Sequence, residues 1–498
     1  MAQHSAPRTH LHIPALPRLL TSALLLAALA ACSPGLPMLQ PQAQILPGQW
    51  PAQSSGKPAP VASTPAAAIA WQDFYLDPTL QELIRAALGH NQDQRLALLR
   101  VQEAQAAYNI QNANRLPAIG LGSSHGRARV PGDLNASGRS VIASDQELFI
   151  GLSSWELDLW GRVKSLSDAA LGNYLALDAT QHAVQASLVK QVAQSYLALR
   201  SLDERLELTG RTIASREESL RIFKRRAEVG STSRYALTQV QTLVHQAKAI
   251  GTQLVQQRAL QAHALQQLTG LDAERLPRAA ATPLVLQQLP EGLPADLLTQ
   301  RPDIIAAEYA LQAAKANVAA ARAAFLPRIA LTGSWGTASA DLDGLFKGGS
   351  RAWQFVPSIS LPIFDGGQRQ AHLNLQAVRQ NMAVVQYEKT IETAMREVLD
   401  ALSSRATLQD QVQVLSEQRD ALKERSRLAR LRYDHGASPY LDVLDAERDL
   451  LSAEQQLVQG REALVSSQIA LYAALGGGYA GQPANAAAPT APTPRTPS

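Results

Sequence analysis

The chain states its pattern twice. Asn114-Arg-Leu-Pro-Ala-Ile-Gly-Leu-Gly returns as Ala324-Phe-Leu-Pro-Arg-Ile-Ala-Leu-Thr-Gly, and Glu228-Val-Gly-Ser-Thr-Ser-Arg-Tyr-Ala-Leu returns as Asp434-His-Gly-Ala-Ser-Pro-Tyr-Leu-Asp-Val. Ala264-Leu-Gln-Gln-Leu-Thr-Gly likewise returns as Ala470-Leu-Tyr-Ala-Ala-Leu-Gly. The spacing is 210 residues between Pro117 and Pro327, and 206 between Gly230 and Gly436 and between Gly270 and Gly476. A unit this long is a duplicated half-molecule, not the roughly 20–50-residue unit of a solenoid. Whatever the chain folds into must accommodate two matched halves of 71–282 and 283–480.

Each half reads helix, strand, loop, strand, long helix, turn, long helix. Leu80, Leu83, Ile84, Ala87 and Leu88 recur at helical spacing and predict a helix from Leu80 to Arg115. Leu116-Pro117 ends it, because the residue before proline is pushed out of the helical region. Residues 117–129 then alternate, with Ile119 and Leu121 opposite Gly120, Gly122 and Ser124. After a Gly/Asn/Ser-rich loop, residues 147–157 alternate again through Leu148, Ile150 and Leu152. The second half predicts strands at 327–339 and 351–362, with Ile329, Leu331, Trp335, Trp353, Phe355, Ile359 and Leu361 on the apolar face. About ten residues, apolar on one face and polar on the other, is the signature of a tilted transmembrane β-strand.

The helices that follow are too long for a compact domain. No proline interrupts 163–229, which at about 1.5 Å per residue makes roughly 100 Å of helix. Leu188, Val192, Tyr196, Leu199, Leu202, Leu206 and Ile213 approximate a heptad seam, so the helix should pack as a coiled coil. A turn at Gly230-Ser231-Thr232, with Ser or Thr capping the return helix, leads back through 232–269. The second half runs out over 368–434, turns at Gly436-Ala437-Ser438 and returns over 438–475. An aromatic content of 5% agrees with helices packed through small side chains rather than around a thick core. The fold class is therefore mainly α with a transmembrane β-barrel, built by an internally duplicated protomer of four strands and long coiled-coil helices. Four strands cannot close a barrel, and an open edge in lipid leaves backbone groups unpaired. The chain must share a barrel with copies of itself. Strand arithmetic permits a dimer or a trimer.

The two ends carry a different message. Residues 1–31 have Arg8 and Arg18 before a short apolar run, Leu19 to Ala31, which is too short to span a bilayer. The run stops at Leu29-Ala30-Ala31-Cys32, and Cys32 is the sole cysteine of the chain. Small residues before a cysteine are similar to a bacterial lipobox; the alternative is an ordinary cleavable leader. With Ser33 after it, an acylated Cys32 would be directed to outer membrane lipid. Residues 32–70 read as a Pro/Ala-rich tether and 481–498 as a disordered tail. The formal charge of +4 includes Arg8 and Arg18, and what remains is too small to suggest nucleic acid.

Four segments carry a resemblance. They are Trp71-Gln-Asp-Phe-Tyr-Leu-Asp-Pro-Thr-Leu-Gln-Glu-Leu-Ile, Ser154-Trp-Glu-Leu-Asp-Leu-Trp-Gly-Arg, Pro362-Ile-Phe-Asp-Gly-Gly-Gln-Arg and Tyr440-Leu-Asp-Val-Leu-Asp-Ala-Glu-Arg. With the repeat and Cys32, they make the chain resemble the TolC-like outer membrane factors, in particular the NodT-type lipoprotein branch. The resemblance implies a homotrimer with a 12-stranded barrel and a periplasmic α-helical tube. It also implies a periplasmic adaptor (membrane fusion) protein and an inner-membrane resistance-nodulation-division pump as partners.

By that resemblance Leu441, Asp445 and Arg448 match the periplasmic aperture. Spaced by four and three residues, they share one helix face; the bland reading is a surface Asp–Arg pair. Asp442 is a further acidic candidate at the mouth. The helix tips Gly230, Ser231, Thr232, Gly436, Ala437 and Ser438 are candidate adaptor contacts, although turn geometry alone explains the glycines. Trp335, Trp353 and Phe355 are candidate girdle residues; the alternative is packing against a neighbouring subunit. No phosphate loop, metalloprotease motif or nucleophile elbow is present, so no enzyme, cofactor or metal is expected. His182, His245 and His263 sit singly on helical stretches. The reading is an exit duct for small molecules; the alternatives are a duct for proteins or one dedicated metabolite, and a structural envelope lipoprotein.

Overall fold

A computed structural model describes residues 37–41, 68–272, 284–287, 289 and 296–478. The predicted leader, Cys32, most of the tether and the tail lie outside the described residues.

The first predicted helix is two. Helix α1 spans Pro78–His90 and α2 spans Gln92–Ala113, with Asn91 between them in extended backbone. The Asn91 side chain accepts from the amides of Asp93 and Gln94, capping α2. Residues 89–95 carry no apolar side chain, so the apolar period lapses at the break, and a helix drawn from Leu80 to Arg115 passes over that gap. Strands β1 (Ile119–Val130) and β2 (Val141–Glu156) form an antiparallel hairpin. Strand β2 starts six residues ahead of the predicted 147, because Val141–Gln146 pair with His125–Val130 although Val141-Ile-Ala-Ser-Asp-Gln itself runs from apolar to polar without alternating. Helix α3 is Arg162–Glu228 and α4 is Arg234–Thr269. The second half supplies α5 (Pro302–Ala323), β3 (Arg328–Ser339), β4 (Arg351–Ser360), α6 (Gln368–Asp434) and α7 (Tyr440–Ala474). Both α3 and α6 are 67 residues long.

The strands form one sheet in the order β1-β2-β3-β4. Its register aligns Leu121, Ile150, Trp335 and Trp353 in one cross-strand row, and Ile119, Leu152, Gly333 and Phe355 in the next. Directly paired residues share a face, so these rows make a continuous apolar surface. Trp335, Trp353 and Phe355 are all exposed on it. No helix among the described residues is long and apolar enough to cross a membrane; the sheet is the element with the length and surface to do so.

The helices form a similar one-dimensional array. Beneath the sheet, α2 packs on α3, α3 on α5 and α5 on α6; farther down, α4 packs on α3, α3 on α7 and α7 on α6. First-half elements β1, α2 and α4 therefore occupy one edge at every level, and β4 and α6 the other. Each edge carries exposed apolar side chains: Leu96, Leu99 and Ile110 on α2, and Leu375, Val378, Met382 and Val385 on α6. An edge of one kind meeting an edge of the other is a head-to-tail contact, the kind that closes into a ring. The main core lies where α1, α3, α4 and α7 meet around Trp71, Phe74, Tyr75, Leu83, Val192 and Tyr472. There Phe74 stacks on Tyr472 with centroids 4.0 Å apart, and Arg200 binds Asp77 at 2.7 Å.

Candidate functional site

Two places concentrate the sequence motifs: the junction of strands and helices, and the helix tips farthest from it. At the junction, Glu156 at the end of β2 accepts two bonds from Arg162, at 2.8 and 2.7 Å, and meets Arg328 of β3 at 2.7 Å. Asp158 accepts from the amides of Val163 and Lys164 and so caps α3. The Trp160 indole donates to the Pro327 carbonyl at 2.8 Å. Ser154-Trp-Glu-Leu-Asp-Leu-Trp-Gly-Arg is thus the device that turns a strand into a helix and ties it to the other half. Its counterpart uses Asp365, which accepts from the amides of Gly367 and Arg369 and pairs with the Arg369 guanidinium at 2.6 Å. Gly366 and Gly367 adopt φ values of +64° and +88° there, which side chains with a Cβ rarely tolerate.

About 100 Å away, at the far end of α3 and α6, both tips close by the same motif. Gly230 and Gly436 have φ of +75° and +74°. The amide of Ser231 bonds the Arg226 carbonyl, and that of Ala437 the Arg432 carbonyl, each at 2.8 Å, so both helices end in a Schellman turn. The expected caps differ from those found. Ser233, not Ser231 or Thr232, caps α4 by accepting from Ala236, and α7 starts at Pro439 without a side-chain cap. A cap must sit in extended backbone directly before the helix, and Ser233 and Pro439 hold that place.

The tip of the α6–α7 hairpin is dense in charge. Asp445 and Arg448 lie 3.1 Å apart, and Arg448 also reaches Asp449 at 3.0 Å. Leu441 is exposed on the same side of α7, while Val443, Leu444 and Ala446 are buried on the other. Asp442 is exposed beside Leu441. Two further pairs bind α7 to α6: Arg430 to Glu447 at 2.7 Å and Arg425 to Asp449 at 2.8 Å. Burial pushes the Asp449 carboxyl up, but its bonds to Arg448 and Arg425 and their charges more than offset this and hold it below its usual value.

The link from this hairpin to the first one is different in kind. The Tyr440 hydroxyl donates to Ser219 Oγ of α3, and the Arg226 guanidinium donates to the Tyr433 hydroxyl. The Tyr440 ring packs on Phe223 and Tyr433, with centroids 4.7 and 4.8 Å away. Leu444 joins Phe223 and Val240 in a small buried cluster below. Arg216 of α3 is buried close by and donates Nη1 to the Leu243 carbonyl at 2.8 Å. Its Nε and Nη2 find no acceptor among the described residues. Burial lowers its pKa, with Glu447 acting in the opposite direction.

Of the residues singled out from sequence, the structure brings Asp445 and Arg448 together and leaves Leu441 beside them on the exposed face. Gly230, Ser231, Gly436 and Ala437 are exposed at the tips, and Thr232 and Ser438 half-buried. Sequence reasoning missed Ser219, Arg216, Glu447 and Asp449, whose partners lie across helix–helix contacts that no local spacing reveals. Among the histidines, His182 lies 4.0 Å from Asp178 on its own helix.

Comparison with known proteins points the same way. The family model described as "Outer membrane efflux protein" matches residues 83–271 and 293–477. The chain is 40% identical over 462 residues to the outer membrane protein OprJ of Pseudomonas aeruginosa, covering 92% of this chain and 95% of that one. It is 42% identical over 458 residues to the toluene efflux pump outer membrane protein TtgI of Pseudomonas putida, covering 91% and 97%. Among solved structures, a membrane protein from Pseudomonas aeruginosa superposes with a TM-score of 0.82 at 39% identity, over 90% of this chain and 98% of that one. The open state of the Neisseria gonorrhoeae MtrE outer membrane channel superposes with a TM-score of 0.77 at 36% identity, over 89% and 99%.

Proposed function

The chain belongs to the outer membrane efflux protein family, and on that footing we propose that the exposed face of α7 bearing Leu441, Asp445 and Arg448 is the gate of its duct. The protein is the outer membrane exit duct of a tripartite efflux system, a homotrimer that works with a periplasmic adaptor and an inner-membrane pump. Three protomers joined edge to edge give a 12-stranded barrel above a helical tube. The duct is a passive conduit, with energy supplied by the pump. The relatives' names mention toluene and solvents, so small apolar toxic compounds and drugs are the proposed cargo.

The observation that carries the gate is the 3.1 Å Asp445–Arg448 pair at the tip of a helix about 100 Å from the sheet. Three copies around an axis would set an apolar ring beside an acidic ring and its counterions. Each pair alone is a half-exposed surface bridge worth about 0.2–1 kcal/mol. It matters to a gate because closure of the ring repeats it. The tips Gly230, Ser231, Thr232, Gly436, Ala437 and Ser438 are the proposed adaptor contacts, and Cys32 the proposed acylation site. The test is single-channel conductance in planar bilayers. Asp445→Ala combined with Arg448→Ala should raise it above the parent value; an unchanged conductance would refute the gate.

A further inference from the structure

Residues Pro37–Pro41, although far from any core, are not loose on the tube. The Leu39 amide donates to Asn381 Oδ1 at 2.8 Å, and Asn381 Nδ2 donates to the Pro37 carbonyl at 3.0 Å. The Arg322 guanidinium, from the last turn of α5, meets Met38 Sδ at 3.3 Å. Asn381 thus offers one donor and one acceptor to the backbone of alternate residues, as a neighbouring β-strand would. It holds the backbone of this segment without reading its side chains.

Distances along the chain give this contact a purpose. Asn381 lies 13 residues into α6, about 20 Å below Gln368 and therefore below the lower edge of the sheet. Cys32 precedes Pro37 by five residues, a reach of about 17 Å when fully extended. The two lengths nearly match, and the cysteine side chain with its lipid linkage closes the remainder. We propose that Asn381, assisted by Arg322, is a clasp that fixes the Pro37–Pro41 segment on the tube and so keeps an acylated Cys32, five residues upstream, within reach of the membrane face beside the barrel. Asn381 is a positioning residue: it acts through the tether on the placement of the anchor. The role in anchoring rests on the reading of Cys32 as lipidated.

The test places a photo-crosslinking benzoyl-phenylalanine at Gln40 in the full chain and maps its products by mass spectrometry. The parent should crosslink to the α6 peptide around Asn381. Two net hydrogen bonds are lost in Asn381→Ala, so the yield should fall about fivefold or more, while Asn381→Gln, which keeps both functions, should retain most of it. Trimer melting should not change in either, which separates the clasp from a general structural role. Deleting Pro34 and Gly35 shortens the reach by about 7 Å and leaves Ser33 in place. That deletion should lower the crosslink in palmitate-labelled protein and leave it intact in a Cys32→Ser background, where no lipid has to reach the membrane. An α6 crosslink insensitive to Asn381→Ala overturns the clasp, and a deletion with equal effects in both backgrounds overturns the anchoring role. Absence of palmitate from the parent overturns the lipidation reading and the anchoring role with it, whatever the crosslink shows.

Discussion

The proposed gate is tied to the first hairpin at Tyr440, and Tyr440→Phe tests that tie. The substitution removes one oxygen and leaves the ring against Phe223 and Tyr433, at centroid distances of 4.7 and 4.8 Å. What is lost is the hydroxyl bond to Ser219 Oγ, which together with the Arg226–Tyr433 bond ties the second hairpin to α3. Burial raises the Tyr440 pKa above its ordinary value, with the Ser219 bond opposing, so the phenol is neutral throughout the physiological range. A neutral bond is worth about 1 kcal/mol net. Ser219 is not stranded by the change, because its hydroxyl still donates to the Ser215 carbonyl at 3.0 Å. No penalty for an orphaned group therefore inflates the effect.

One such bond per protomer makes about 3 kcal/mol for a trimer, or roughly two orders of magnitude in the ratio of open to closed tips. Single-channel recording should show larger or more frequent openings, and Ser219→Ala should reproduce them. Arg427→Ala is the control: its pair with Glu424 lies within α6 on the exposed surface and should not alter conductance. Parental conductance in Tyr440→Phe, with trimer melting unchanged, would refute the idea that the two hairpins are latched at this point.

Two other outcomes follow from the geometry. Gly172 of α3 lies against α5 so closely that a Cβ would come within 2.9 Å of the Ala313 Cβ; Gly172→Ala should cost about 1–3 kcal/mol, read as a lower melting temperature. Gly210 on the same helix has open space at that position, so Gly210→Ala should stabilise by up to about 1 kcal/mol in the same assay. For pH, the Asp449 carboxyl is held below its ordinary 3.8 by Arg448 and Arg425, so its stabilising contribution is present above that value and lost as pH falls through the lower folded pKa. Conductance should thus be insensitive to this group from pH 8 to about 5 and rise only below about pH 4.

Much of the architecture was legible because proline, glycine and alternation punctuate it. Leu116-Pro117 and Leu326-Pro327 stop helices before strands, and Gly230 and Gly436 end the long helices in left-handed backbone. The failures have a common cause. Asn91 caps a new helix inside the polar stretch 89–95, which a continuous-helix reading passes over, and Val141–Gln146 pair through their backbone while their side chains do not alternate. In both places backbone bonds decide the structure, and side-chain periodicity cannot report them. The same holds at the tip. Tyr440 and Ser219 are separated by 221 residues, and nothing near either one marks the other as its partner.

The duplication shows where the charged pairs of the two hairpins differ. Helices α3 and α6 begin at Arg162 and Gln368 and end at Glu228 and Asp434, an offset of 206 residues at both ends. Applying that offset to the second tip is informative. Arg430 and Glu447 correspond to Lys224 and Gln241, and Arg425 and Asp449 to Ser219 and Leu243. Neither charged pair has a counterpart in the first hairpin. Instead, Leu243 lies in the apolar cluster with Phe223 and Val240, and Ser219 has become the acceptor for Tyr440. The first hairpin keeps its own bridges between α3 and α4 slightly farther from the tip, Lys248 to Glu217 and Arg258 to Asp203, each at 2.6 Å, and nearer the tip it offers a surface on which the second can rest. The second is tied nearer its tip, by two pairs between α6 and α7. A perfectly symmetric repeat would have offered no such difference between the two tips.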